Sequence, residues 1–400
     1  MCGICGQVSF TTDLSKYESQ FYNMQNKLYS RGPDRHGEFF SQNAVLMHRR
    51  LAVVDIEKGN QPMTYAVDGA VFTLCYNGEL YNTNEIRNTL ESRGYNFFSH
   101  SDTEVVLKAY VEYREKCVDM FNGIFAFAVW EHETRRLFVA RDRMGVKPLF
   151  YSMTKNGFVF ASEIKALLEH SEIEPVIDTR SLAEIMIIGP GRTPGCGVFK
   201  GISEIRPAHY AYYDETGLTI HRYWNVEAHE HSDSFEQTAE KVRYLVTDSI
   251  KRQLVSDVPL CTFLSGGLDS SLISSVTNGE FKKNGEVLHT FSVDYKDNEK
   301  YFKKSKFQPN SDPEFIRIME KYLGGVHHRI VIDTDELVNA LYCAVDARDL
   351  PGMADVDASM LLLCKAIKEQ GTVALSGECA DEIFGGYPWY RDKTIRSSEG

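Results

Sequence analysis

The chain divides by the texture of its apolar positions. In the first half, short apolar runs alternate with turn signals at 51–55 (LAVVD), 70–82 (AVFTLCYNGELYN), 123–131 (GIFAFAVWE), 135–142 (RRLFVARD) and 157–163 (GFVFASE). Runs of this length with polar punctuation predict β-strands. Helical spacing separates them at 103–116 and from about Lys16 to Tyr29. Together these predict layered antiparallel sheet with helices. The stretch GPGRTPGCGVFKG at 189–201 cannot continue a helix or a central strand. A hairpin is predicted at 209–224, and a polar linker, NVEAHEHSDS, follows at 225–234.

From Phe235 the spacing becomes helical, with Val242, Val246, Ile250 and Leu254 four apart, which predicts one buried face. Then come an apolar strand, a glycine turn and a helix in PLCTFL–SGGLDSS–LISSV, 259–276. Further apolar runs at 289–295, 327–332 and 372–377, spaced by helical segments, predict a parallel α/β sheet. The domain boundaries are therefore expected at 1–224 and 235–400, joined by the linker 225–234. Residues 297–315 are polar and predict a loop of lid length.

Composition narrows the class. Four hundred residues suit two domains, and 43% hydrophobic with 25% charged residues is ordinary for a globular chain. A net charge of −12 argues against nucleic acid as the main partner, while leaving room for a local phosphate pocket. No basic region followed by an apolar stretch opens the chain, and no apolar run approaches the roughly 20 residues of a membrane span. Nine scattered cysteines do not form a secreted disulfide pattern. The expected location is the cytoplasm, with no membrane partner.

The first six residues, MCGICG, carry Cys2 and Cys5 at Cys-x-x-Cys spacing. Three readings compete with a plain buried cysteine at a chain end. A structural zinc site needs four ligands, and no second pair lies at suitable spacing. A redox dithiol belongs after a strand at a helix N-terminus, whereas only Met1 precedes this pair. The third reading is an N-terminal nucleophile: loss of Met1 would leave Cys2 with an α-amine of pKa about 7.7–8.0, able to take the proton of its own thiol. Cys5 then packs as a small hydrophobe. The choice depends on what accompanies Cys2.

Behind MCGICG follow RGPD (31–34), HRRLAVVD (48–55), YNGELYN (76–82), HSDTE (100–104) and ARDRMGVKPLFY (140–151), in that order. The ordered set resembles the glutamine amidotransferase domain of the N-terminal nucleophile class. That resemblance implies an α+β, four-layer αββα fold. It makes Cys2 the nucleophile, with the Asn77 side chain and the Gly78 N–H as oxyanion donors. Arg50 would hold the glutamine carboxylate, and Asp102, with Glu79, its ammonium group.

In the second half, FLSGGLDSS (263–271) stands between strand and helix, where glycines admit an anion and the helix N-terminus supplies N–H groups. No lysine follows, so it is not a Walker A loop. It resembles the pyrophosphate loop of ATP pyrophosphatases, and Asp269 inside an anion site points to a magnesium ion. SGECADEIFGGYPWY (376–390) adds Glu378, Asp381 and Glu382. Both motifs together resemble those of the glutamine-hydrolysing asparagine synthetases. The resemblance implies an incomplete α/β parallel-sheet ATP pyrophosphatase domain with ATP and Mg2+. Glutamine, aspartate and ATP would be the small-molecule partners, and a homodimer is compatible with it. Ser265, Gly266, Gly267, Asp269, Ser270 and Ser271 would hold pyrophosphate and magnesium, and Leu264 and Val293 would line the adenine pocket. Ser376, Gly377 and Glu378 would lie at the nucleotide and aspartyl site, with Asp381 near the metal. A related enzyme amidating another carboxylic acid remains open. Family members continue past this point with a catalytic lysine, Cys379 replaces a usual glycine, and Asp357 stands where many members have arginine.

Overall fold

The computed structural model describes residues 1–303, 312–393 and 397. Among these, the strands of the first part form two six-stranded antiparallel sheets. One runs in the order Ile202–Glu204, Phe150–Thr154, Gly157–Ala161, Gly3–Val8, Ala44–Arg50, Arg35–Phe40. The other runs Gly217–Arg222, His209–Asp214, Arg136–Arg141, Gly123–Glu131, Ala70–Leu80, Met63–Val67.

Why these strands read as nearly continuous apolar runs is visible in their alternation. Ile4, Val8, Phe158 and Phe160 of one sheet face Cys75, Ala126, Ala128 and Val139 of the other in a shared core. Their neighbours Cys5, Val159 and Ala161 turn outward to meet Phe21 and Met24 of the helix Glu18–Lys27. Likewise Leu74, Phe127 and Phe138 turn to Val106 and Tyr110 of the helix Asp102–Tyr113. Each sheet is thus buried on both faces, giving helix, sheet, sheet and helix.

Two expectations fail locally. Residues 51–55 form no strand. The Arg50 guanidinium draws the carbonyls of Val54, Asp55 and Ile56 around itself at 3.1, 2.6 and 2.9 Å. The ladder ends at Arg50, and Asp55 beyond it takes a left-handed conformation, φ 49°. The predicted buried stripe on the helix Phe235–Arg252 is reduced to Ile250, since Val242 is exposed. That helix is closed at its start by a reciprocal cap between Ser234 and Gln237.

Compact units are Met1–Glu230 with Asp346–Gly352, and His231–Val345 with Met353–Gly400. The short excursion 346–352 sends Leu350 into the first unit's core, and Asp349 pairs with Lys165 at 2.9 Å. In the second unit, strands Val326–Ile332, His289–Tyr295, Leu260–Phe263 and Val373–Leu375 lie in that order, all parallel. The middle of 297–315 lies outside the described residues; its flanks are the helices Asn298–Tyr301 and Asp312–Leu323. No described helix is long and apolar enough to cross a membrane.

Candidate active site

In the first unit, the strand Gly3–Val8 is central, so whatever precedes Gly3 is held at a fixed sheet end. Gly3 lies opposite Arg49, which brings Cys2 level with the turn after Arg50. The Cys2 thiol lies 3.6 Å from the Leu51 carbonyl, and Arg31 Nε donates to the Cys2 carbonyl at 2.8 Å. Burial raises the thiol above its usual range, while the chain's amine and Lys147 pull it down. Cys5 is fully buried in the outer core and is not part of this site.

Asn77 and Gly78 lie inside the strand Ala70–Leu80, not in a turn. Asn77 is 1% exposed, and its Nδ2 meets no acceptor among the described residues. A buried amide donor without a partner costs about 1–3 kcal/mol, a cost that any acceptor reaching Nδ2 would remove. A side chain at Gly78 would meet the Ile124 carbonyl at 2.6 Å, so only glycine lets strand Gly123–Glu131 come this close.

Around this centre stand three further groups. Asp102 begins the helix Asp102–Tyr113 and accepts from the Tyr76 hydroxyl at 2.8 Å and the Leu80 N–H at 3.1 Å. Burial raises its carboxyl, and both hydrogen bonds oppose that shift. Glu79 is pushed up to about 8, by burial and then by the Asp102 charge. Arg50 gives Nη1 and Nη2 to Val54, Asp55, Ile56 and Asn60, so the Nε edge is what these bonds leave open. Its first structural task is to shape the 51–60 loop. Tyr76, Arg31 and Lys147 escaped the sequence reading, although all three fall inside quoted motifs.

In the second unit, the chain builds strands from Leu260–Phe263 toward one side, then returns to lay Val373–Leu375 on the other. This is a topological switch point, where a crevice opens beyond the strand carboxyl ends. Both glycine motifs follow those two strands, and they touch. A side chain at Gly377 would meet Asp269 Cβ at 3.1 Å and the Ser270 N–H at 3.3 Å. Between them lies a cavity of about 340 Å³, lined by Leu264, Ser265, Gly267, Asp269, Ser270, Val293, Ser376, Gly377, Glu378 and Asp381.

 Gly266 and Ser271 are not among the residues lining this cavity. Ser265 Oγ and Ser270 Oγ are 2.9 Å apart, and the Ser265 N–H donates to Ser270 Oγ, which ties the turn to the helix Leu268–Lys283. Cys379 takes a left-handed conformation, φ 70°, where a glycine would be unstrained. Asp357 accepts from the Met353 N–H at 2.8 Å at the start of the helix Ala354–Ile367.

Burial raises the Asp269 carboxyl, and Asp381 pushes it the same way. Among the described residues no three His, Cys, Asp or Glu side chains converge to hold a metal by themselves. Two carboxylates at one cavity do suit magnesium, which takes one or two from a protein and the rest from phosphate and water.

The double antiparallel sandwich, with Cys2 at the end of its first strand, is a glutamine amidotransferase unit. It is joined to a parallel-sheet unit of the synthetase type. The glutamine amidotransferase domain family matches residues 1–224, and the asparagine synthase family matches 241–400. An asparagine synthetase (glutamine-hydrolysing) 3 of Bacillus subtilis is 52% identical over 99% of this chain and 65% of its own length. A putative asparagine synthetase of Methanocaldococcus jannaschii is 32% identical, over 97% of this chain and 76% of its own. Asparagine synthetase B of Escherichia coli is 30% identical, over 98% and 65%. The chain belongs to the family of glutamine-hydrolysing asparagine synthetases. It spans less than two thirds, 65%, of the length of these Bacillus and Escherichia relatives.

Proposed function

We propose that the chain carries the glutaminase and nucleotide-binding parts of a cytoplasmic, ATP-dependent asparagine synthetase. After Met1 is removed, the Cys2 amine takes the thiol proton and Sγ attacks the side-chain amide carbon of glutamine. Asn77 Nδ2 and the Gly78 N–H receive the oxyanion, a contribution of about 3 kcal/mol per donor. Collapse expels ammonia, with the amine returning the proton, and water then hydrolyses the thioester to glutamate. Asp102 and Glu79 face the substrate ammonium, and Arg50 meets the carboxylate. The observation that carries this reading is the buried, unpartnered Nδ2 of Asn77.

In the second unit, the turn 265–271 and the Gly377 loop would receive ATP, with Leu264 and Val293 at the adenine. Asp269 and Asp381 would hold magnesium, which supplies charge neutralisation at the phosphates. Attack of the aspartate carboxylate on the α-phosphorus gives β-aspartyl-AMP and pyrophosphate, and ammonia then displaces AMP. Release of AMP and pyrophosphate that requires aspartate together with glutamine or ammonia supports this reading. Equal release with other carboxylic acids and none with aspartate overturns the acceptor.

A further inference from the structure

Lys147 has no part in the reaction as set out above, yet it is 4% exposed. Its backbone is clamped on both sides: its N–H donates to Asp142 at 3.0 Å, and its carbonyl accepts from Arg141 Nε at 2.7 Å. The ammonium is therefore delivered to one place, where Nζ lies 3.0 Å from Met1 Sδ. A thioether is a weak acceptor for a buried cation. Met1 is also the residue that must leave before Cys2 has a free amine.

The charged groups facing Lys147 come from each neighbouring element. They are Glu79 on the strand Ala70–Leu80, Arg31 after the first helix, Cys2 and the terminal amine, and Asp142 on its own loop. Asp142 already accepts from the N–H groups of Phe125, Met144, Val146 and Lys147. Arg31 is paired with Glu163 at 2.9 Å. Glu79, whose carboxyl burial pushes up to about 8, and a developing Cys2 thiolate are then the acidic groups left to face the ammonium, and below that pH the thiolate is the charge among them.

We propose that Lys147 is a positioning residue of glutamine hydrolysis: its ammonium, released from Met1, steadies negative charge on Cys2 Sγ and keeps the Cys2 amine neutral. The inference rests on the N-terminal nucleophile reading. Its direction agrees with the electrostatics, since Lys147 lowers both the terminal amine and the Cys2 thiol while Glu79 raises both. The two residues bracket the nucleophile with opposite effects.

The test is the pH profile of kcat/KM for glutamine hydrolysis by the whole chain, with Lys147→Met, Lys147→Gln and Lys147→Arg. Loss of the charge should let the amine keep its proton longer, moving the acid limb up by about one pH unit, or about tenfold in rate below the limb, with KM little changed. Lys147→Arg should restore the wild-type limb. An unmoved limb in folded Lys147→Met or Lys147→Gln overturns the inference alone. If wild type releases no glutamate and Cys2 resists a glutamine-analogue electrophile, both the inference and the reading beneath it fall.

Discussion

The Tyr76 hydroxyl donates to Asp102 Oδ2 at 2.8 Å, within a buried pocket that also holds Glu79. That bond works against burial to keep Asp102 charged. Tyr76→Phe removes it, so Asp102 should bind the glutamine ammonium less well. We expect KM to rise about tenfold with kcat little changed, the effect of losing about 1.4 kcal/mol of ground-state and transition-state binding alike. Steady-state glutamate release measures both constants. A fall in kcat at constant KM contradicts the assignment.

Glu79 makes stability depend on pH. Its carboxyl is pushed up from 4.5 to about 8, so the folded chain holds a proton that the unfolded chain has released across that interval. The folded state binds more protons there, and its stability must fall as pH rises from about 4.5 to about 8. Glu79→Gln removes this contribution. Thermal unfolding of the variant should lose less stability than wild type between pH 5 and pH 8; parallel curves contradict it.

Asp269 and Asp381 repel each other across one cavity, and on the proposed reading bound magnesium should offset that repulsion when ATP fills it. ATP affinity should increase at least about tenfold with magnesium in wild type, and this gain should largely vanish in Asp269→Asn and Asp381→Asn. Titration calorimetry with and without a chelator reads it. Retained magnesium dependence in both variants removes the metal assignment.

Cys379 stores backbone strain at the edge of the same cavity. Cys379→Gly should relieve it and stabilise the chain by about 1 kcal/mol, set against the greater entropy of glycine in the unfolded state. Denaturant unfolding tests this. A loss of stability would mean that the cysteine's packing outweighs the strain.

Much of the fold is legible because the sheets are buried on both faces. The run at 123–131 became the strand Gly123–Glu131 without adjustment, and 70–82 became Ala70–Leu80. The run at 51–55 misled for the opposite reason: its apolar side chains suit a strand, while Arg50 captures its carbonyls. Nothing local announces that capture. Nor does local pattern send Leu350 into the first unit. Candidate residues such as Asn77 stood out through the order of motifs, whereas Lys147 looked like one more loop charge. Its burial follows from the Asp142 and Arg141 contacts that hold its backbone.

The central claim is that Cys2 acts as the terminal nucleophile. Peptide mass mapping after treatment with an electrophilic glutamine analogue tests it directly. The account predicts active protein that begins at Cys2, carries one adduct there, and leaves the buried Cys5 unmodified. Active protein that retains Met1, or an adduct on another residue with Cys2 free, would contradict it.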